Sequence, residues 1–148
     1  MDTDKGHSYE VVKKLTKDHI GKGHILFLDN FYNSVELAEY LMNNKTNMSG
    51  TLRSTRAGNP EVVVQTKLRK WECISSQKGN VTVMKWRDKR NVLTISTSNG
   101  SEMELVTNKR GEQTMKPSMV VRYNKGMSGI DRSDQMVSYY STHRKSLR

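Results

Sequence analysis

Three aspartates stand where this sequence could do chemistry. Asp29 closes the apolar run Ile25-Leu26-Phe27-Leu28 and is followed by Asn30. A short continuous apolar run ended in this way reads as a buried strand with both faces covered. A carboxylate at the carboxyl end of such a strand sits where α/β sheets place ligands and metals. The same Asp-Asn pair is also an ordinary strand-ending turn, which is the simpler local reading. Asp131 and Asp134 lie three residues apart. With a helix starting here, Asp131 is its N-cap and the two carboxylates share one face. They repel by a few tenths of a kcal/mol, roughly, in an exposed helix. Mg²⁺ reverses that sign, because hard cations take carboxylate oxygens. Acids at a helix N-terminus also gain about 0.3–1 kcal/mol each from the dipole with no metal present.

Cations interleaved with tryptophan form the second group. Arg53, Arg56, Lys67, Arg69, Lys70 and Trp71 make one cluster, and Lys85, Trp86, Arg87, Lys89 and Arg90 another. Long cationic side chains reach phosphates and Trp stacks on exposed bases; the plainer reading makes both Trp residues core and the cations solvated. Charge supports a polyanionic partner. Residues 1–50 hold six lysines against seven acids, leaving −1, while residues 51–148 hold nineteen cations against eight acids, leaving +11. Neutralising phosphates releases counterions, so such asymmetry suits nucleic acid. His7, His19, His24 and His143 show no metal-ligand spacing, which argues against zinc. Cys73, the single cysteine, rules out an intrachain disulfide and reads as a packing residue in a strand. No apolar run approaches the length of a membrane span and no leader pattern appears, so an intracellular protein without membrane partners is expected.

Several elements must position these groups. Residues 8–19 place Val11, Val12, Leu15 and His19 on one helical face. The strand at 25–28 follows. Val35, Ala38, Leu41 and Met42 then recur at helical spacing, with Asn33 and Glu36 spaced as a capping box. A short strand is expected near Met48–Leu52, and Gly58-Asn59-Pro60 is a turn. Residues 61–97 read as β-rich, with a hairpin from Val81–Trp86 to Val92–Ile95 over a basic tip. Residues 98–118 read as a linker or irregular excursion. Val120–Tyr123 suits a short strand, Gly126 and Gly129 flank a turn, and a basic helix follows from Arg132. Hydrophobic residues make up 34% of the 148 residues; with the ten glycines this rises to about 41%, below the roughly 45–50% of ordinary domains. The core is therefore expected to be lean.

The motifs together resemble a known family. GKGHILFLDNFYNSVELAEYL (21–41), GTLRSTR (50–56), MKWRDKR (84–90) and NKGMSGIDRSDQ (124–135), followed by Tyr139-Tyr140-Ser141 and Arg144-Lys145-Ser146, are similar in order and spacing to the catalytic region of piggyBac transposases. Ser128 stands where a family glycine is usual. The resemblance implies an α/β fold: part of an RNase H-like core carrying a β-rich insertion. Residues 1–45 and 119–148 would belong to the core and 46–118 to the insertion. It implies Asp29 as the second catalytic aspartate, Asp131 as the third and Asp134 as the additional acid of that motif. Mg²⁺ would be the cofactor, held by these three, and Arg53, Arg56, Lys85, Arg87, Lys89 and Arg90 would contact DNA. It further implies cleavage and strand transfer of transposon DNA into TTAA targets, nuclear localisation, and a homodimer formed through other parts of the family's protein. The family's first catalytic aspartate and first strands are expected upstream of Met1; Asp2 and Asp4 lie in a polar start and do not take that role. With a single cysteine, the chain is expected to lack the Cys-rich module of many relatives. On this reading the Asp29 strand keeps an unpaired edge, an aggregation hazard, and the chain alone is expected to be inactive. The alternatives are a domesticated, non-catalytic DNA-binding fragment and a transposon relic.

Overall fold

The computed structural model describes residues 6–98 and 100–139. Residues 140–148, which hold His143 and most of the Tyr-Tyr-Ser and Arg-Lys-Ser motifs, and residues 1–5, which hold Asp2 and Asp4, lie outside them. The described chain is a mixed α/β structure. In order it runs α1 (His7–Thr16), β1 (Ile25–Leu28), α2 (Val35–Asn43), β2 (Asn47–Thr51), α3 (Glu61–Gln65), β3 (Cys73–Lys78), β4 (Val81–Arg87), β5 (Asn91–Ser96), β6 (Met103–Thr107), β7 (Gln113–Pro117) and α4 (Ser118–Tyr139).

Five strands form one sheet in the order β1-β2-β5-β4-β3. β1 and β2 are parallel, with Leu28 opposite Gly50. Parallel neighbours need a crossover, and α2 supplies it, making a β1–α2–β2 unit. The other pairings in this sheet are antiparallel. β1 is half-buried throughout and hydrogen-bonds to β2 alone, so it forms one edge of the sheet.

Strand alternation divides the core between two faces. Val81 and Val83 join Met48 and Ile95 in a cluster with Val12 of α1, Leu37, Ala38 and Leu41 of α2, and Val63 of α3. Thr82, Met84 and Trp86 alternate with those valines and are also buried. α4 runs over β1, β2 and β5, and at Gly126 it meets Phe27, which alternates with Leu26 and Leu28 of the first cluster.

Several sequence expectations change. α1 buries Tyr9, Val12 and Thr16, while Leu15 is 73% exposed, so its inward face is rotated from the expected one. Thr16 can turn inward because its hydroxyl donates to Val12 O at 2.8 Å. The N-cap of α2 is Ser34, whose side chain accepts from Leu37 N, and not Asn33. Val62-Val63-Val64 lies in a short helix instead of a strand. Residues 98–118 hold the paired hairpin β6–β7 instead of an irregular excursion. The expected strand at Val120–Tyr123 and turn at Gly126–Gly129 are both inside the 22-residue α4. Cys73 is exposed, not packed. Trp86 is core, at 4% exposure, and Trp71 is not, at 48%.

Candidate functional site

Because β1 and β2 are parallel, both strands leave the sheet at the same end. The loop after β1 carries Asp29 and the loop after β2 carries Arg53 and Arg56. Two motifs about twenty-five residues apart in sequence therefore become one corner.

Asp29 is exposed. Its Oδ1 accepts from Phe31 N at 2.9 Å, and its backbone carbonyl accepts from Tyr32 N and Asn33 N at 3.3 Å. This Asx turn fixes the carboxylate relative to the strand and engages one of its two oxygens. Asn33 sits behind it, fully buried. Its Nδ2 donates to Leu28 O at 2.8 Å and to Thr51 O at 2.7 Å, stitching the ends of the two parallel strands together. Gly50 makes room for that stitch: a Cβ there would overlap both Leu28 O and Asn33 Nδ2.

The arginines close the corner from the other loop. Arg53 Nε donates to Asn30 Oδ1 at 3.3 Å, and its guanidinium lies 5.4 Å from the centre of the Phe31 ring. Arg56 Nη2 donates to Phe31 O. Asn59 Nδ2 holds the returning chain through Arg53 O at 2.8 Å. Sequence reasoning treated Asn33 as a cap and overlooked Asn30 and Phe31 as arginine partners. The signal available was the chain order strand–helix–strand, which predicts adjacent strand ends.

The second pair of acids is placed differently. Asp131 is not an N-cap, because α4 begins at Ser118 and runs through it. A Cβ at Gly126 would lie 2.5 Å from the Phe27 ring, so α4 crosses β1 two residues before Asp29. Asp131 follows five residues later, about 7.5 Å further along the helix axis. Asp131 and Asp134 are one turn apart and exposed, and neither carboxylate has a hydrogen-bond or ion-pair partner among the described residues.

The remaining cations divide into two kinds. Lys85 is half-buried and its Nζ donates to Val64 O and Thr66 O, both at 2.8 Å. It thus holds the carboxyl end of α3, where a cation is favoured. Arg87 Nη1 donates to Leu68 O at 2.9 Å. Lys89 and Arg90 are exposed at the β4–β5 tip.

A Mg²⁺ ion wants near-octahedral oxygen coordination, and a two-metal site needs carboxylates converging from several elements. Among the described residues no three acids, histidines or cysteines come together as a metal-holding group. Asp29, Asp131 and Asp134 thus do not converge as a metal-holding group, and the described residues alone do not fit such a site. No helix among the described residues is long and apolar enough to cross a membrane.

Comparison with known proteins gives consistent results. A family model described as "Transposase IS4" matches residues 1–148. The chain is similar to the human (Homo sapiens) "PiggyBac transposable element-derived protein 3", with 30% identity over 146 residues, covering 90% of this chain and 24% of that protein. It therefore spans about a quarter of that relative's length. A cryo-EM structure of a piggyBac transposase synaptic complex with hairpin DNA superposes with a TM-score of 0.74 at 27% identity, over 100% of this chain and 31% of the solved one.

Proposed function

We propose, from the premise that this chain belongs to the Transposase IS4 family in its piggyBac branch, that it is part of a DNA-cleaving and strand-transferring catalytic domain. The observation that carries the reading is the corner at the ends of β1 and β2. There an exposed carboxylate, fixed by its own turn, shares the loop with Asn30 and Phe31, which two arginines of the neighbouring loop grip. A carboxylate beside cations is what phosphodiester chemistry asks for: the cations hold the phosphate and the acid works on it.

In this reading Asp29 and Asp131 are the inherited catalytic acids and Asp134 their neighbour. The core is RNase H-like and comprises residues 1–45 and 119–148; residues 46–118 form the insertion, with β2 hydrogen-bonded to strands of both. Arg53 and Arg56 position DNA at the corner, and Lys89 and Arg90 meet it from the β4–β5 tip. Lys85 serves the fold, since two backbone carbonyls occupy its ammonium. Mg²⁺ is the cofactor this reading carries, with further oxygen ligands needed from beyond the described residues. The partner is DNA, as in the solved synaptic complex. Transposon ends, a TTAA target, a homodimer and a nuclear location come with the same reading.

Plasmid relaxation tests it. Nicking that requires Mg²⁺ and disappears in both Asp29→Asn and Asp131→Asn supports the catalytic reading. DNA binding that weakens steeply with salt, without nicking and indifferent to Asp29→Asn, replaces it with a non-catalytic DNA-binding role. Failure to bind DNA at any salt concentration removes both.

A further inference from the structure

A second feature lies at the opposite edge of the sheet from Asp29. Trp71 lies two residues before β3, four strand spacings from β1, or about 19 Å. Its φ is +72°, a value that bulky L-residues rarely adopt. The surroundings impose it: Trp71 N donates to Arg87 O at 2.7 Å, Arg87 N donates to Glu72 O at 3.1 Å, and Arg87 Nη1 reaches back to Leu68 O. The result is a large indole held in a strained backbone and left 48% exposed. Core packing does not account for it: beyond the core, the ring shares a small surface hollow of about 190 Å³ with Met103, Thr114 and Met115. Trp86, whose ring centre is 6.4 Å away, already fills the core there.

The surroundings are cationic. Residues 67–72 and 87–90 carry six cations against two acids, and all six cations are exposed. One of the acids, Glu72, is engaged, its Oε2 accepting from Arg69 N at 2.7 Å. Arg69, Lys70, Arg87 and Lys89 line a surface hollow of about 590 Å³ with Leu68 and Asp88. Lys70 Nζ rests 5.0 Å from the centre of the Trp71 ring.

We propose that Trp71 is a stacking platform for an unpaired base of a DNA strand whose phosphates lie along this cationic hollow. The inference rests on the DNA reading above and deepens it with a second subsite and a preference for locally unpaired DNA. An aromatic side chain in a cationic groove is the usual arrangement for holding exposed bases, since every base has a π-face. A base paired inside a duplex offers no free face to an indole. On binding, the base takes the place over the ring and Lys70 moves to a phosphate.

The test uses the whole chain and two duplexes of equal length and phosphate number, one fully paired and one with two central mismatches. The expected result is about tenfold tighter binding of the mismatched duplex. Trp71→Gly suits a backbone at positive φ, so it keeps the fold; it is expected to abolish the preference while leaving affinity for the paired duplex nearly unchanged. Trp71→Phe is expected to keep most of the preference. Equal binding of the two duplexes by the wild type, or a preference that survives Trp71→Gly, overturns the inference and leaves the DNA reading standing. Absence of binding to either duplex defeats both.

Discussion

At the ends of β1 and β2 the side chains of Asp29, Asn33 and Arg53 are each tied to a nearby loop or strand. On the outer half of α4, Asp131 and Asp134 stand in the open with no partner for either carboxylate among the described residues. One of the three candidate acids is thus fixed by the chain itself, before any ligand arrives. The other two are presented on the exposed side of a long helix, where nothing among the described residues holds their carboxylates. Preorganisation is therefore local in this molecule and does not extend across the whole set.

Substitutions can break that contrast, and the largest effect belongs to Gly50. Gly50→Ala drives a methyl into Leu28 O and Asn33. Overpacking against fixed backbone is expected to cost about 3 kcal/mol, a fall in melting temperature of about 9 °C for a chain of this size. A melting curve within about 2 °C of the wild type would mean the corner is soft. Asn33→Ala comes next. It removes both stitches from a fully buried site and should cost about 2 kcal/mol in urea unfolding; a loss below about 0.5 kcal/mol would show that water replaces the amide freely.

A smaller pair sharpens the division among the cations. Lys85→Met is expected to lose about 1 kcal/mol and leave the salt dependence of DNA affinity unchanged. Lys89→Met should leave stability untouched and lower the slope of log affinity against log salt by about one. If both lysines lower the slope equally, Lys85 faces DNA and not α3. The smallest contrast is between the acids themselves. Asp29→Ala removes the turn acceptor and should cost about 1 kcal/mol, which Asp29→Asn largely restores. Asp131→Ala should stay within about 0.5 kcal/mol of wild type. Equal losses at the two positions, measured by chemical denaturation, would erase the distinction drawn between the corner and the helix.

The sequence announced some of this plainly. β1, α2 and the β4–β5 hairpin carry clean periodicity and turn residues, and they stand within a residue or two of where the pattern put them. Asp29 at the end of β1 was legible for the same reason. Tertiary contact decided the rest. Val62-Val63-Val64 carries strand propensity, yet Pro60 precedes it as the N-cap and Val63 is wanted in the core by a helical turn. Gly126 looks like a turn residue; its use is to let α4 lie against Phe27, and nothing local to residue 126 reveals that. Asn33 and Ser34 are both good caps, and only the nearness of Thr51 explains why Asn33 is taken for the stitch. The strain at Trp71 is set by Arg87, sixteen positions on.

The strand order also separates the Asp29 corner and the Trp71 edge in time. β4 and β5 meet across a turn of three residues, Asp88–Arg90, and β3 joins β4 across Gly79. Such hairpins close in about 1–10 μs. β2 reaches β5 only by pairing residues far apart in sequence, Ser49 with Ser96, Gly50 with Ile95 and Thr51 with Thr94, and β1 then needs the α2 crossover to find β2. Pairings of that sequence separation are slow, because loop closure must come before the contacts that reward it. The Trp71 edge is thus expected to mature early in refolding and the Asp29 corner late. Pulsed hydrogen exchange should show β4 and β5 amides protected before those of β2; the reverse order would place the nucleus at the β1–α2–β2 unit.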